Sequence, residues 1–221
     1  QALAAVKVLA NIHAVWWGKV ETEELEWIPS MVGPRIEYVD QVLPQIYPVF
    51  AEAFAPTLPE GGAELTEQFS RSYLSLNKKL AERAPWTLAH QDYRVENMLF
   101  GDVNSNQVVV IDWQGIGRGP GAYDLAYLLG GSMDTGLRRT HERELVAAYQ
   151  ARLADNGVED YSFEKTWEDY GFAHLLGGLA TSIFAGGTLD LSNERGVGLI
   201  TMMANRHVTA ALDHGGFKDL S

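Results

Sequence analysis

Four residues of the chain have the types and spacing to do chemistry together. His90, Asp92 and Asn97 fall in the order His-x-Asp-x-x-x-x-Asn, and Asp112 closes an apolar run, Val108-Val109-Val110-Ile111. An aspartate carboxylate can orient or deprotonate a hydroxyl group. An asparagine amide oxygen and a second carboxylate are hard oxygen donors, the kind that Mg²⁺ takes. Such a set suits phosphoryl transfer, which asks the protein for a positioned acceptor and for cations against the phosphate oxygens, and for little covalent work. The strand-like runs Asn97-Met98-Leu99-Phe100 and Val108-Val109-Val110-Ile111 flank a polar turn, residues 101–106. That pattern predicts a β-hairpin, which returns the chain and brings Asp112 back beside Asn97.

His90-Gln91-Asp92-Tyr93-Arg94-Val95-Glu96-Asn97-Met98-Leu99-Phe100 resembles the H-G-D-x-x-x-x-N-x-[IL]-[FVL] motif of the aminoglycoside phosphotransferases and their relatives, the choline kinases and ecdysteroid-kinase-like proteins. Val110-Ile111-Asp112-Trp113-Gln114 is similar to their I-D-[FW]-[EQ]. The segment from Gly119 to Ala126 is similar to their G-x-x-x-x-D-L-A, and Leu9-Ala10-Asn11-Ile12-His13 to their L-A-x-L-H helix. The spacing also matches the H-R-D-x-x-x-x-N loop and D-F-G turn of protein kinases. The resemblance implies an α+β, mainly helical, protein-kinase-like fold, represented by its C-terminal lobe with a short β-hairpin at the catalytic loop. It implies ATP and Mg²⁺ as cofactors and a small-molecule hydroxyl acceptor. Asp92 would be catalytic, Asn97 and Asp112 metal ligands, and His90 and Asp124 supporting residues, with Asp124 tied to the catalytic-loop backbone. Gln91 stands where the family has glycine.

The elements needed to position these residues are mostly helices. Leu3, Val6, Ala10, His13 and Trp17 recur at helical spacing, with Gly18 as a stop. A second apolar stripe runs from Ile36 to Phe54, and Pro44 and Pro48 predict that it is bent or broken. A third helix reads from Leu65 to Leu80. After the hairpin comes a glycine-rich loop, residues 115–121, then helices at about 122–129 and 137–154. Ser162 is placed to cap a helix through Trp167, Tyr170, His174 and Ile183, and Asn193 to cap the last one. His13 reads as a satisfied core residue. The acceptor is expected among the helices from Ile36 to Leu80 and those after Tyr161.

Net charge is −12 and cysteine is absent. So acidic a surface repels nucleic acid and anionic lipid, and no disulfide or thiolate chemistry is open to the chain. The uncharged run Leu175 to Leu189 holds Gly177, Gly178, Gly186 and Gly187 and reads as a buried helix with an exit turn, not a membrane span. The expected location is cytoplasmic. Gln1 begins inside a helical pattern, so residues 1–221 are expected to be one lobe of a longer chain, lacking the N-terminal nucleotide-binding lobe that would be its partner. Two other functions fit parts of the pattern. One is a catalytically inactive kinase-like binding module. The other is a nicotinamide-dependent oxidoreductase, because Gly117 to Ala122 formally matches G-x-G-x-x-A. No A-P-E element follows Asp112, so protein is not the expected acceptor.

Overall fold

The computed structural model describes residues 1–102 and 107–220. The expected polar turn at 103–106 lies outside the described residues. Helix α1 spans Ala2–Trp16 and ends where Gly18 takes a left-handed φ of +66°. Helix α2 (Pro34–Phe54) is continuous through Pro44 and Pro48, so the expected break does not occur. Both prolines lie on the exposed side, while Ile36, Leu43, Phe50 and Phe54 are buried. On that side helices curve outward and water can serve the carbonyls that proline leaves unpaired. The expected third helix is two, α3 (Gly62–Ser70) and α4 (Tyr73–Arg83). The break is set from outside the segment: Asp40 of α2 accepts the Leu74 amide at 2.8 Å, capping α4 from a distance.

Strand β1 (Trp86–Ala89) precedes the Asp92 loop, and β2 (Met98–Phe100) and β3 (Val108–Val110) form the antiparallel hairpin. The glycine-rich segment is not only a loop. Residues Gly117–Pro120 form β4, paired antiparallel with β1. Antiparallel pairing removes the parallel βαβ crossover that a dinucleotide fingerprint requires, and with it the structural basis for the oxidoreductase reading. The outer face of the hairpin leaves Leu99, Val109 and Ile111 exposed next to Asp112.

Helices α5 (Ala122–Ser132) and α6 (Thr135–Asp155) follow, with Asp134 capping α6 through the Gly136 and Leu137 amides. The helix expected from Ser162 onward is again two: α7 (Phe163–Ala173), capped by the Ser162 hydroxyl, and α8 (Gly177–Thr188). At the start of α8 the Tyr123 hydroxyl fills the space beside Gly177 that any side chain would need. Asn193 caps α9 (Glu194–Asp213), and α10 (Phe217–Leu220) ends the described chain. Among the described residues no helix is long and apolar enough to cross a membrane.

The glycines of the least polar run are contact points. A Cβ at Gly186 would stand 2.7 Å from Phe50, and one at Gly187 2.8 Å from the Ile46 carbonyl, so α8 lies close against α2. At Gly178 a Cβ would overlap the ring of buried His207. Gly198 in α9 is exposed with nothing near it. Alanine should therefore have opposite effects at these two helical positions. Gly198→Ala is expected to stabilise by about 0.5–1 kcal/mol, through reduced backbone entropy in the unfolded chain. Gly178→Ala is expected to destabilise by about 1–3 kcal/mol through overpacking. Urea denaturation of both variants measures the difference, and equal shifts would contradict the packing described.

Candidate active site

Asp124 lies in the first turn of α5 and is fully buried. A carboxylate there is favoured by the helix N-terminus, but its partners come from elsewhere in the chain. Its Oδ2 accepts the His90 amide at 2.6 Å, and its Oδ1 accepts the Gln91 amide at 2.8 Å. His13 of α1 donates from Nε2 to Oδ2 at 3.2 Å. The Tyr149 hydroxyl of α6 meets His13 Nδ1 at 2.7 Å. Burial first, and the Asp124 charge second, push the Tyr149 hydroxyl well above the usual tyrosine range, so it remains a donor. One carboxylate thus ties α1, α5 and α6 to the backbone just before Asp92.

His90 is spent inside the loop. Its Nε2 donates to the Ile111 carbonyl at 2.9 Å and its Nδ1 accepts the Asp92 amide at 3.3 Å. The ring packs against Trp113 at 4.7 Å between centroids. No ring nitrogen is left to reach a substrate. The Ile111 amide in turn donates to the Asn97 carbonyl at 3.0 Å. These two bonds fasten the residue before Asp112 to both ends of the His-x-Asp-x-x-x-x-Asn segment, so the expected return of the chain is achieved.

The Asn97 side chain donates its amide to Asp92 twice, to the backbone carbonyl at 2.9 Å and to Oδ2 at 2.8 Å. That leaves the amide oxygen as its remaining ligand atom. Arg94 Nε stands 3.3 Å from Asp92 Oδ1, at the partly exposed edge of the site. Tyr127 of α5 lies near Asp92 and near Thr181 of α8; burial and the Asp92 charge push its hydroxyl above the ordinary tyrosine range. Asp112 is exposed and adopts φ +63°, with no side-chain bond to the turn that follows. Asn97 and Asp112 together offer two hard oxygens, which fits Mg²⁺, an ion that keeps several of its own waters.

Gln91 also has a positive φ, +66°. A residue with a Cβ costs about 1–2 kcal/mol in that region, which accounts for glycine in the family motif. Here the glutamine is used: Arg35 of α2 bonds to its Oε1 and, at 3.2 Å, to the Gly115 carbonyl. Arg35 and Tyr127 carried no signal in the sequence, because their partners lie far along the chain. His13 and Tyr149 form a pair that spacing alone could not join, although His13 stands in a recognisable motif. Beside Thr181, a cavity of about 270 Å³ is lined by Val39, Tyr73, Ala180, Phe184 and Ala185.

The clamp makes a sharp prediction. Asn at position 124 keeps one acceptor but turns an NH₂ group toward a backbone N–H. Asp124→Asn is expected to lose about 1–3 kcal/mol of stability, the cost of a buried unsatisfied donor. Thermal and denaturant unfolding would measure this, and a loss below the range would mean that the three donors are not sharing one buried carboxylate.

Residues 1–159 match the ecdysteroid kinase-like family. Among solved structures the fold resembles a spectinomycin phosphotransferase crystallised with ADP and spectinomycin, with a TM-score of 0.54 and 17% identity. That likeness covers 97% of this chain and 65% of the other. No curated protein matches the chain. The fold is kinase-like, mainly helical, with two small antiparallel strand pairs.

Proposed function

The chain belongs to the ecdysteroid kinase-like family, and from that premise we propose that it transfers the γ-phosphoryl group of ATP to a hydroxyl group of a small molecule. The observation that carries this reading is the joint placement of Asp92, Asn97 and Asp112 around a loop held by a single buried carboxylate. In the proposal Asp92 accepts the hydrogen bond, and then the proton, of the acceptor hydroxyl. The Asn97 amide holds its carboxylate in place. Asn97 and Asp112 hold Mg²⁺, which supplies charge neutralisation at the phosphate oxygens when bound. His90 and Asp124 position the loop and do not touch substrate.

The cavity beside Thr181 supports an acceptor site. Its lining comes from α2, α4 and α8, the segments from which the acceptor pocket was expected. Thr181 and Asp92 both lie near the Tyr127 hydroxyl. None of the lining side chains is charged, which favours an uncharged acceptor with a substantial apolar body. The exposed apolar face of the hairpin, beside Asp112, is where the nucleotide and its own lobe would sit. The proposal includes that lobe as a segment outside residues 1–221, since no phosphate-gripping lysine motif is recognisable here, and a cytoplasmic setting where ATP and Mg²⁺ are available.

Two substitutions in the full-length protein test the roles separately. Asp92→Asn keeps the size of the side chain but removes the base, so turnover should fall on the order of 10²–10⁴-fold with nucleotide affinity nearly unchanged. Asp112→Ala removes a group acting in the ground state as well, so it should weaken Mg-ATP binding more than Asp92→Asn does. Product formation by mass spectrometry and calorimetric titration of Mg-ATP read the two effects. Near-normal turnover in Asp92→Asn would overturn the assignment. A wild-type protein that binds nucleotide but transfers nothing to any alcohol would be a binding module.

The 221-residue piece alone lacks the groups that would align the triphosphate. Alignment is worth effective molarities of about 10⁵ M or more. The isolated piece is therefore expected to bind Mg-ATP poorly and to show no transfer in a radiolabelled phosphate assay, and substantial activity would refute the need for a second lobe.

A further inference from the structure

Three helical elements bring Glu142 of α6, His174 after α7 and His214 after α9 together. One ligand atom of each lies within 4.8 Å of the other two. Glu142 Oε2 and His214 Nε2 are 3.3 Å apart. His174 is 2% exposed, yet neither of its ring nitrogens has a partner. Two orphaned nitrogens on one buried ring are rare, because an unpaired buried polar group costs about 1–3 kcal/mol. The protein already described makes no use of this cluster.

From these observations we propose that Glu142, His174 and His214 form a binding site for a zinc ion. Two imidazoles and one carboxylate are a zinc ligand set that leaves the fourth position open. Bonds of about 2.0–2.1 Å to a tetrahedral ion put ligand atoms about 3.4 Å apart, which the Glu142–His214 separation already meets. His174 has to approach by at most about 1.4 Å, the difference between 4.8 Å and that spacing. Neither nitrogen of the buried His174 ring is engaged by the protein, so the ring can present one of them to an ion.

The surroundings have the form of an outer ligand shell. The Tyr170 hydroxyl donates to Glu142 Oε2 at 2.8 Å and Arg138 at 2.6 Å, which orients the carboxylate. Arg138 also bonds to Asp213, which Arg139 shares, so its charge stays paired when a cation takes a Glu142 lone pair. The guanidinium does compete for the same carboxylate, and the affinity is correspondingly modest. An entry path exists, because His214 also lines a cavity of about 360 Å³ with Trp167, Gly171 and Phe172.

The test uses the full-length protein, stripped with chelator and titrated with zinc chloride under excess Mg²⁺, which occupies hard-oxygen sites. The expected result is one zinc per chain by calorimetry, with affinity reduced at least tenfold in His174→Gln and in His214→Gln. His141→Gln, which alters an exposed histidine paired with Glu144, should leave it unchanged. Cobalt(II) in place of zinc should show the visible bands of a four-coordinate nitrogen-containing site, lost in the same two variants. His214 sits at the cavity rim, so His214→Gln carries the test if His174→Gln does not fold. Absence of stoichiometric zinc binding, or binding that His214→Gln leaves intact, overturns the proposal.

Discussion

The structure depends on one buried charge. Asp124 has no water to solvate it, so its carboxylate must be satisfied by protein donors, and the donors it takes are the backbone amides of His90 and Gln91 and the ring of His13. Burying a carboxylate is costly unless it is fully hydrogen-bonded, so no other position of the loop would do. The loop is held to the core through the His90 and Gln91 amides, and the Asp92 carboxylate stays partly exposed, bonded by Asn97 within the loop.

The rest of the site follows from that anchor by short links. His90 passes the constraint to Ile111, Ile111 to Asn97, and Asn97 to Asp92. Each link joins residues from different turns of the chain, and each uses a donor and acceptor that would otherwise be unpaired. Two left-handed residues, Gln91 and Asp112, flank this set. Backbone strain of this kind persists where surrounding bonds over-determine the conformation, and here they do. At Gln91 the side chain also takes part, through Arg35, in joining α2 to the loop.

Helix packing also shapes the cavity beside Thr181. The close approach of α8 to α2, made possible by Gly186 and Gly187, fixes the wall that Ala180, Phe184 and Ala185 present opposite Val39. Leu175 to Leu189 therefore does more than fill the core. Its glycines set the distance between two helices whose facing sides line that cavity.

By itself the sequence determined the kinase-like fold, the hairpin and the identities of the residues around Asp92. These depend on local periodicity and on a fixed spacing between groups that chemistry requires. Caps at Ser162 and Asn193 were equally legible, because a cap bonds within its own turn. Only tertiary structure decided where other helices begin and end. The continuity of α2 through Pro44 and Pro48 depends on which side faces water. The break before α4 depends on Asp40, and the need for glycine at the start of α8 on Tyr123. It also decided that the glycine-rich segment pairs as a strand with β1, and that His13, Tyr149, Arg35 and Tyr127 converge near the loop. Those outcomes rest on contacts between residues far apart in the chain, whose energies no local pattern records.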